Sequence, residues 1–151
     1  MPTAWEAVEF PCVKEYELVE KIVCDGTVGI YAKTGLALKE VEIYIQTEAG
    51  EAAQSCAVEL KNGSDLFGYA WLGNMINTGP RYAYVHGVSN GQGTAYLESA
   101  GPMEEKYRAA QMQRTAAKYD GTTPINRISI YCSGGALFPK DSIIEIWGIK
   151  E

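Results

Sequence analysis

A chain of 151 residues with a formal net charge of −6 and a pI near 4.9 is long enough for one domain with its own core, and its thirteen basic residues are scattered rather than clustered. That distribution gives a phosphate backbone no footprint, so nucleic acid is excluded as a partner. The frequent glycines, the ten tyrosines and turn signals every ten or so residues point to an all-β chain.

The first fifteen residues read as an arm ahead of a single domain over 16–151. Trp5, Phe10 and Pro11 are its only apolar landmarks of size, and they are expected either to dock onto a neighbouring surface or to pack on the chain's own core. The arm has no positive n-region and no apolar h-region, and nothing later approaches eighteen uninterrupted apolar residues. Synthesis in a cytoplasm, a soluble product and no membrane partner are the corresponding expectations.

Leu18 to Cys24 alternates as a strand. Asp25-Gly26 offers a hairpin turn, and Thr27 to Ala32 follows. Leu38 to Thr47 is the clearest strand, with Val41, Ile43 and Ile45 on one side and Glu42, Tyr44 and Gln46 on the other. Ser55 to Leu60 and Leu66 to Leu72 are expected to pair across Asn62-Gly63. Arg81 to Val85 and Thr94 to Glu98 supply two more strands.

Met103 to Tyr119 is rich in Ala, Gln, Glu, Lys and Arg, with Glu104 and Glu105 placed early as a helix dipole prefers. The apolar stripe of Met103, Tyr107, Ala110 and Ala117 is thin. The segment stays open between one helix and an irregular or extended insertion. After Asp120-Gly121 and Pro124, Ile128, Ile130 and Cys132 alternate with Ser129 and Tyr131. Ile144 and Ile146 then alternate with Glu145 and Trp147, which predicts two closing strands paired through the Ser133 to Ser142 connection. Eight or nine short strands with one insertion predict an antiparallel β-sandwich of jelly-roll type.

Chemistry-bearing constellations are few. Gly87-Val88-Ser89-Asn90-Gly91 matches Gly-x-Ser-x-Gly, but no histidine follows it and a glycine-rich turn fits better than a nucleophile elbow. Glu40, Glu42 and the other carboxylates alternate with apolar positions, where solvated side chains belong, so a paired-carboxylate hydrolase is not expected. Cys12, Cys24, Cys56 and Cys132 are far apart with no Cys-x-x-Cys pair, and His86 is the sole histidine. Buried free thiols and no metal or cofactor are expected.

Aromatic rings are the one distribution that invites a partner. Phe67, Tyr69 and Trp71 share one side of a strand, while Tyr82, Tyr84 and His86 share a side of the next. Tyr69, Trp71, Tyr82 and Tyr84 are therefore the candidate binding residues, for a sugar by stacking or for a protein surface.

The closing pattern Ile125, Ile128, Ile130, Phe138, Ser142, Ile144, Ile146, Trp147, Gly148 resembles the C-terminal signature of small β-sandwich modules in bacteriophage tail-fibre, baseplate and head-fibre or decoration proteins. That resemblance implies a strand pair where 103–119 lies, a departure from the helix-rich composition there. It implies a non-enzymatic virion component, made in the host cytoplasm, that works by oligomerisation, as a trimer before other states, and by attachment to other virion proteins. A carbohydrate-binding module that takes a host-surface glycan is the alternative expectation.

Overall fold

The structure is a computed structural model describing residues 15–50, 53–62, 65–89, 94–103, 112–118 and 124–150. Its strands are β1 (Glu17–Val23), β2 (Ile30–Lys33), β3 (Leu38–Thr47), β4 (Gln54–Asn62), β5 (Asp65–Ile76), β6 (Arg81–Ser89), β7 (Thr94–Met103), β8 (Met112–Lys118), β9 (Arg127–Cys132) and β10 (Ile143–Lys150). They form a six-stranded sheet in the order β1-β10-β3-β6-β7-β8 and a four-stranded sheet in the order β2-β9-β4-β5. Every strand pairing is antiparallel, so the chain is an all-β sandwich.

Alternation along each strand decides which side faces in. Val41, Ile43 and Ile45 of β3, Ala83 and Val85 of β6 and Ile144 and Ile146 of β10 meet Val58 and Leu60 of β4, Ala70 and Leu72 of β5 and Ile128 and Ile130 of β9 in one core cluster. Each fully buried side chain of this size contributes about 1.5–3 kcal/mol relative to exposure. On one flank β7 and β8 come close to β5. On the other, β1 and β2 leave a groove lined by Ile22, Tyr31, Ile130 and Ile146, bridged by Lys33 and Glu20 at 3.0 Å.

The closing pattern has a structural reason at each position. Ile125 and Leu38 exchange both backbone hydrogen bonds, at 2.7 and 3.0 Å. Phe138 is fully buried, its ring 5.6 Å from that of Tyr31, and its N–H donates to the Val28 carbonyl. The Ser142 hydroxyl accepts from Glu48 N–H while its carbonyl accepts from Cys24 N–H, which ties the ends of β1, β3 and β10 together. A Cβ on Gly148 would lie 2.8 Å from Leu38 side-chain carbons, so glycine lets Leu38 close the core there.

Three expectations change, and a segment left open is decided in part. β9 and β10 do not pair: β9 joins the four-stranded sheet and β10 the six-stranded one. The Ser133–Gly135 3-10 turn and the extended stretch after it carry the chain across the sandwich, so the two isoleucine pairs face each other instead of lining one sheet. Likewise Asp25-Gly26 is a corner between sheets and not a hairpin. The Asp25 carboxylate accepts from Thr27 N–H at 2.9 Å and from its hydroxyl at 2.6 Å, which holds that carboxyl below its usual range, and Gly26 takes φ +87°.

Within 103–119 the described part is strand. Met112–Lys118 pairs with β7 from Ala100↔Met112 to Thr94↔Lys118, and residues 104–111 and 119 lie outside the described residues. Helix propensity is a weak prior that an available strand edge overrides when the apolar stripe is thin. Finally, Gly87 to Ser89 continues β6 as extended strand, while the rest of that turn reading, residues 90–93, lies outside the described residues; a Cβ on Gly87 would meet Leu60 Cδ1 of the opposite sheet at 2.3 Å. The arm with Trp5 and Phe10 also lies outside the described residues.

Candidate functional site

Tyr69 and Trp71 sit on β5 and Tyr82 and Tyr84 on β6, so the four candidate residues divide between the outer faces of two different sheets. They are not one site. The two faces look away from each other across the core, and each assembles further residues around its half of the set.

On the four-stranded sheet the register aligns Ile30, Tyr131, Ala57 and Trp71 in one cross-strand row, and Ala32, Ser129, Glu59 and Tyr69 in the next. Ile30, Trp71 and Tyr69 are 64%, 47% and 43% exposed, whereas Ala57 is buried although it stands outside the core cluster. The rings of Tyr131 and Trp71 on either side of the small Ala57, with Ile30 beyond Tyr131, make a shallow apolar surface. Tyr131 donates its hydroxyl to Glu59 Oε1 at 3.3 Å, and Lys61 pairs with Glu59 at 3.5 Å. Burial, then the Glu59 carboxylate and Tyr69, push the Tyr131 phenol up to about 12. The side chain of Phe67 is outside what is described here.

The six-stranded sheet carries a different surface. Its rows run Ile143, Gln46, Tyr82; Glu145, Tyr44, Tyr84; Trp147, Glu42, His86; and Ile149, Glu40, Val88. Rings and carboxylates alternate, and most are tied to one another. Tyr44 donates to Glu42 at 2.7 Å, Trp147 Nε1 to Glu145 at 3.5 Å, and Tyr16 to Glu40 Oε2, which also lies 3.1 Å from His86 Nε2. The ring centroids of Tyr44 and Tyr84 are 5.3 Å apart, and Tyr84 stacks on His86 at 6.5 Å. Burial first and the Glu40 hydrogen bond second push the Tyr16 phenol well above its ordinary value.

Glu40 corrects a sequence expectation. It alternates like a solvated carboxylate, yet it is 5% exposed because Tyr16 and His86 close over it. A buried carboxylate persists only when its oxygens find donors, and here two residues distant in the chain supply them. Trp147, Tyr44, Tyr131 and Ile30 were also missed as surface partners. Each had a legible facing along its own strand, but nothing local told which strand would lie beside it.

Among the described residues, neither face shows a serine or cysteine nucleophile beside a histidine base. Ser89, the serine of the Gly-x-Ser-x-Gly match, is buried at the end of extended strand, whereas an elbow serine stands exposed at the top of its sheet. Among the described residues no three His, Cys, Asp or Glu side chains group as metal ligands. The described residues offer two binding surfaces, apolar rings on one face and rings with carboxylate acceptors on the other. No protein-family model matches the chain, and no curated protein matches it in sequence.

Proposed function

We propose that the chain is a non-enzymatic structural module of a bacteriophage particle, which acts by associating with further copies of itself, as a trimer, and with other virion proteins. The observation that carries this reading is the exposure of Ile30, Trp71 and Tyr69 on two adjacent rows of the four-stranded sheet. Aromatic and aliphatic side chains clustered at such exposure favour a protein interface, and Tyr and Trp dominate the energetics of such surfaces. Two features support the particle setting. The closing pattern matches that of phage β-sandwich modules. With the β7–β8 hairpin set aside, β1-β10-β3-β6 opposite β2-β9-β4-β5 is the interlocked order of a jelly roll, an architecture recurrent in viral coat proteins.

Mass measured in solution and in purified particles tests the reading. A trimer that Trp71→Ala dissociates supports it; a dispersed monomer absent from particles overturns it.

A second reading is favoured by one observation on the other face, where Tyr44, Tyr84 and Trp147 stand beside Glu42 and Glu145. Rings that stack on the apolar side of a pyranose, next to carboxylates that accept its hydroxyls, make a carbohydrate-binding surface for a host glycan. Binding on a glycan array that Tyr84→Ala abolishes and Trp71→Ala leaves intact would establish that reading over the purely structural one.

A further inference from the structure

Three cysteines, Cys24, Cys56 and Cys132, are buried free thiols, and two of them are direct neighbours. Cys56 on β4 and Cys132 on β9 are register partners, and their sulfurs are 3.6 Å apart. The type of register site matters. Cys132 N–H donates to the Gly29 carbonyl on the far side of β9, so its backbone groups point away from β4. The Cys56–Cys132 pair is therefore a non-hydrogen-bonded pair, the kind whose Cα atoms stand about 4.5 Å apart with side chains closest. That spacing falls inside the range of roughly 4.4–6.8 Å that a disulfide spans, so the bond closes by side-chain rotation without moving either strand.

We propose that Cys56 and Cys132 form a built-in oxidation site, a dithiol that hydrogen peroxide converts to a cross-strand disulfide. Cys132 reacts first. It is the more accessible of the two, and it ends β9 immediately before the exposed turn of Ser133, Gly134 and Gly135, where local opening admits a peroxide-sized oxidant. Its sulfur takes one peroxide oxygen to give a sulfenic acid and one water. The Cys56 sulfur then displaces that oxygen as a second water, forming the S–S bond. Two thiols are thus oxidised by two electrons and one peroxide is reduced.

The Cys56 thiol is pushed up by its hydrogen bond with Cys132 and then by burial. The reaction is accordingly slow, and brief oxidative exposure leaves the dithiol intact. Once closed, the bond joins residues 76 apart in the chain and encloses β5 to β8 in one covalent loop. A loop of that size raises the midpoint of thermal unfolding by roughly 10 °C. The inference stands independently of the particle reading. If both hold, the staple closes after the protein leaves a reducing cytoplasm.

The test uses the full chain carrying Cys12→Ala and Cys24→Ala, treated with hydrogen peroxide under native conditions. Expected are loss of both remaining thiols, an intact mass lower by two hydrogens, a proteolytic cross-link between the Cys56 and Cys132 peptides, and a higher thermal midpoint that a reductant reverses. Adding Cys56→Ala should abolish the mass loss and the gain in midpoint. The inference is overturned if both thiols persist after prolonged exposure, if mass is gained as sulfinic acid, or if cross-links form between chains. Peptide mapping of the oxidised unsubstituted chain makes the same decision without any variant: a cross-link to Cys12 or Cys24 in place of the pair overturns it.

Discussion

The two outer faces of the sandwich are built from the same residue types and solve opposite problems. On the six-stranded sheet the rings of Tyr16, Tyr44 and Trp147 donate to Glu40, Glu42 and Glu145, and every one of the central rings is partly covered. On the four-stranded sheet Trp71, Tyr69 and Ile30 project into solvent, beside a polar cluster in which Tyr131 and Lys61 both engage Glu59. The first face ties several of its rings to its own carboxylates. The second leaves apolar surface that a partner would remove from water, at about 25 cal/mol per Å². An aromatic surface thus indicates a partner by its exposure, not by its ring count.

The largest effect expected is one that undoes both faces together. Phe138→Ala empties a fully buried site between the sheets and should lower stability by about 3–5 kcal/mol in urea unfolding; a loss under about 1 kcal/mol would show that Phe138 does not fill the core as described. Glu40→Ala acts on the six-stranded face alone. It removes the acceptor of Tyr16 and His86 and should cost about 2–3 kcal/mol, while Glu42→Ala, at a more exposed position, costs less than half as much. Equal losses in the two variants would dissolve the distinction between buried and half-buried carboxylates.

High pH should act where phenols are shielded. Tyr31 and Tyr131 are both pushed from 10.0 up to about 12, chiefly by burial, so the folded state favours their neutral forms. A folded value above the unfolded one means that this contribution is complete below pH 10 and disappears as pH rises through about 12. Urea midpoints should therefore fall across that window, and more gently in Tyr131→Phe. A tyrosinate absorbance curve that is identical for the two proteins would contradict the shielding of Tyr131.

The smallest effect on stability separates the faces best. Trp71→Ala should leave the unfolding free energy within about 0.5 kcal/mol, because the ring is 47% exposed, yet weaken self-association tenfold or more. Tyr84→Ala should show the reverse balance, since its ring packs on Tyr44 and His86.

Much of the architecture was legible from period-two alternation. The bounds of β3 matched its run from Leu38 to Thr47, and Ile128, Ile130, Ile144 and Ile146 were all recognisable as buried. The errors, and the one segment left open, share a physical origin. Asp25-Gly26 looks the same whether it turns a hairpin or a corner between sheets, because local turn chemistry does not specify where the next strand pairs. Met112–Lys118 carries helix-forming residues whose fate depended on the β7 edge. Glu40 looked solvated because the covering Tyr16 and His86 come from 24 and 46 residues away in the chain.

Sequence alone determined the class of the fold and the inward or outward facing of most strand residues, since both follow from side chains alternating across a pleated backbone. It also placed the rings that could meet a partner. Only tertiary structure decided which sheet each strand joined. An inward-facing residue packs equally well from either sheet, so alternation carries no information about membership. That choice put β9 and β10 on opposite sides of one core, set Cys56 beside Cys132, and separated Tyr69 and Trp71 from Tyr82 and Tyr84 by the full thickness of the sandwich.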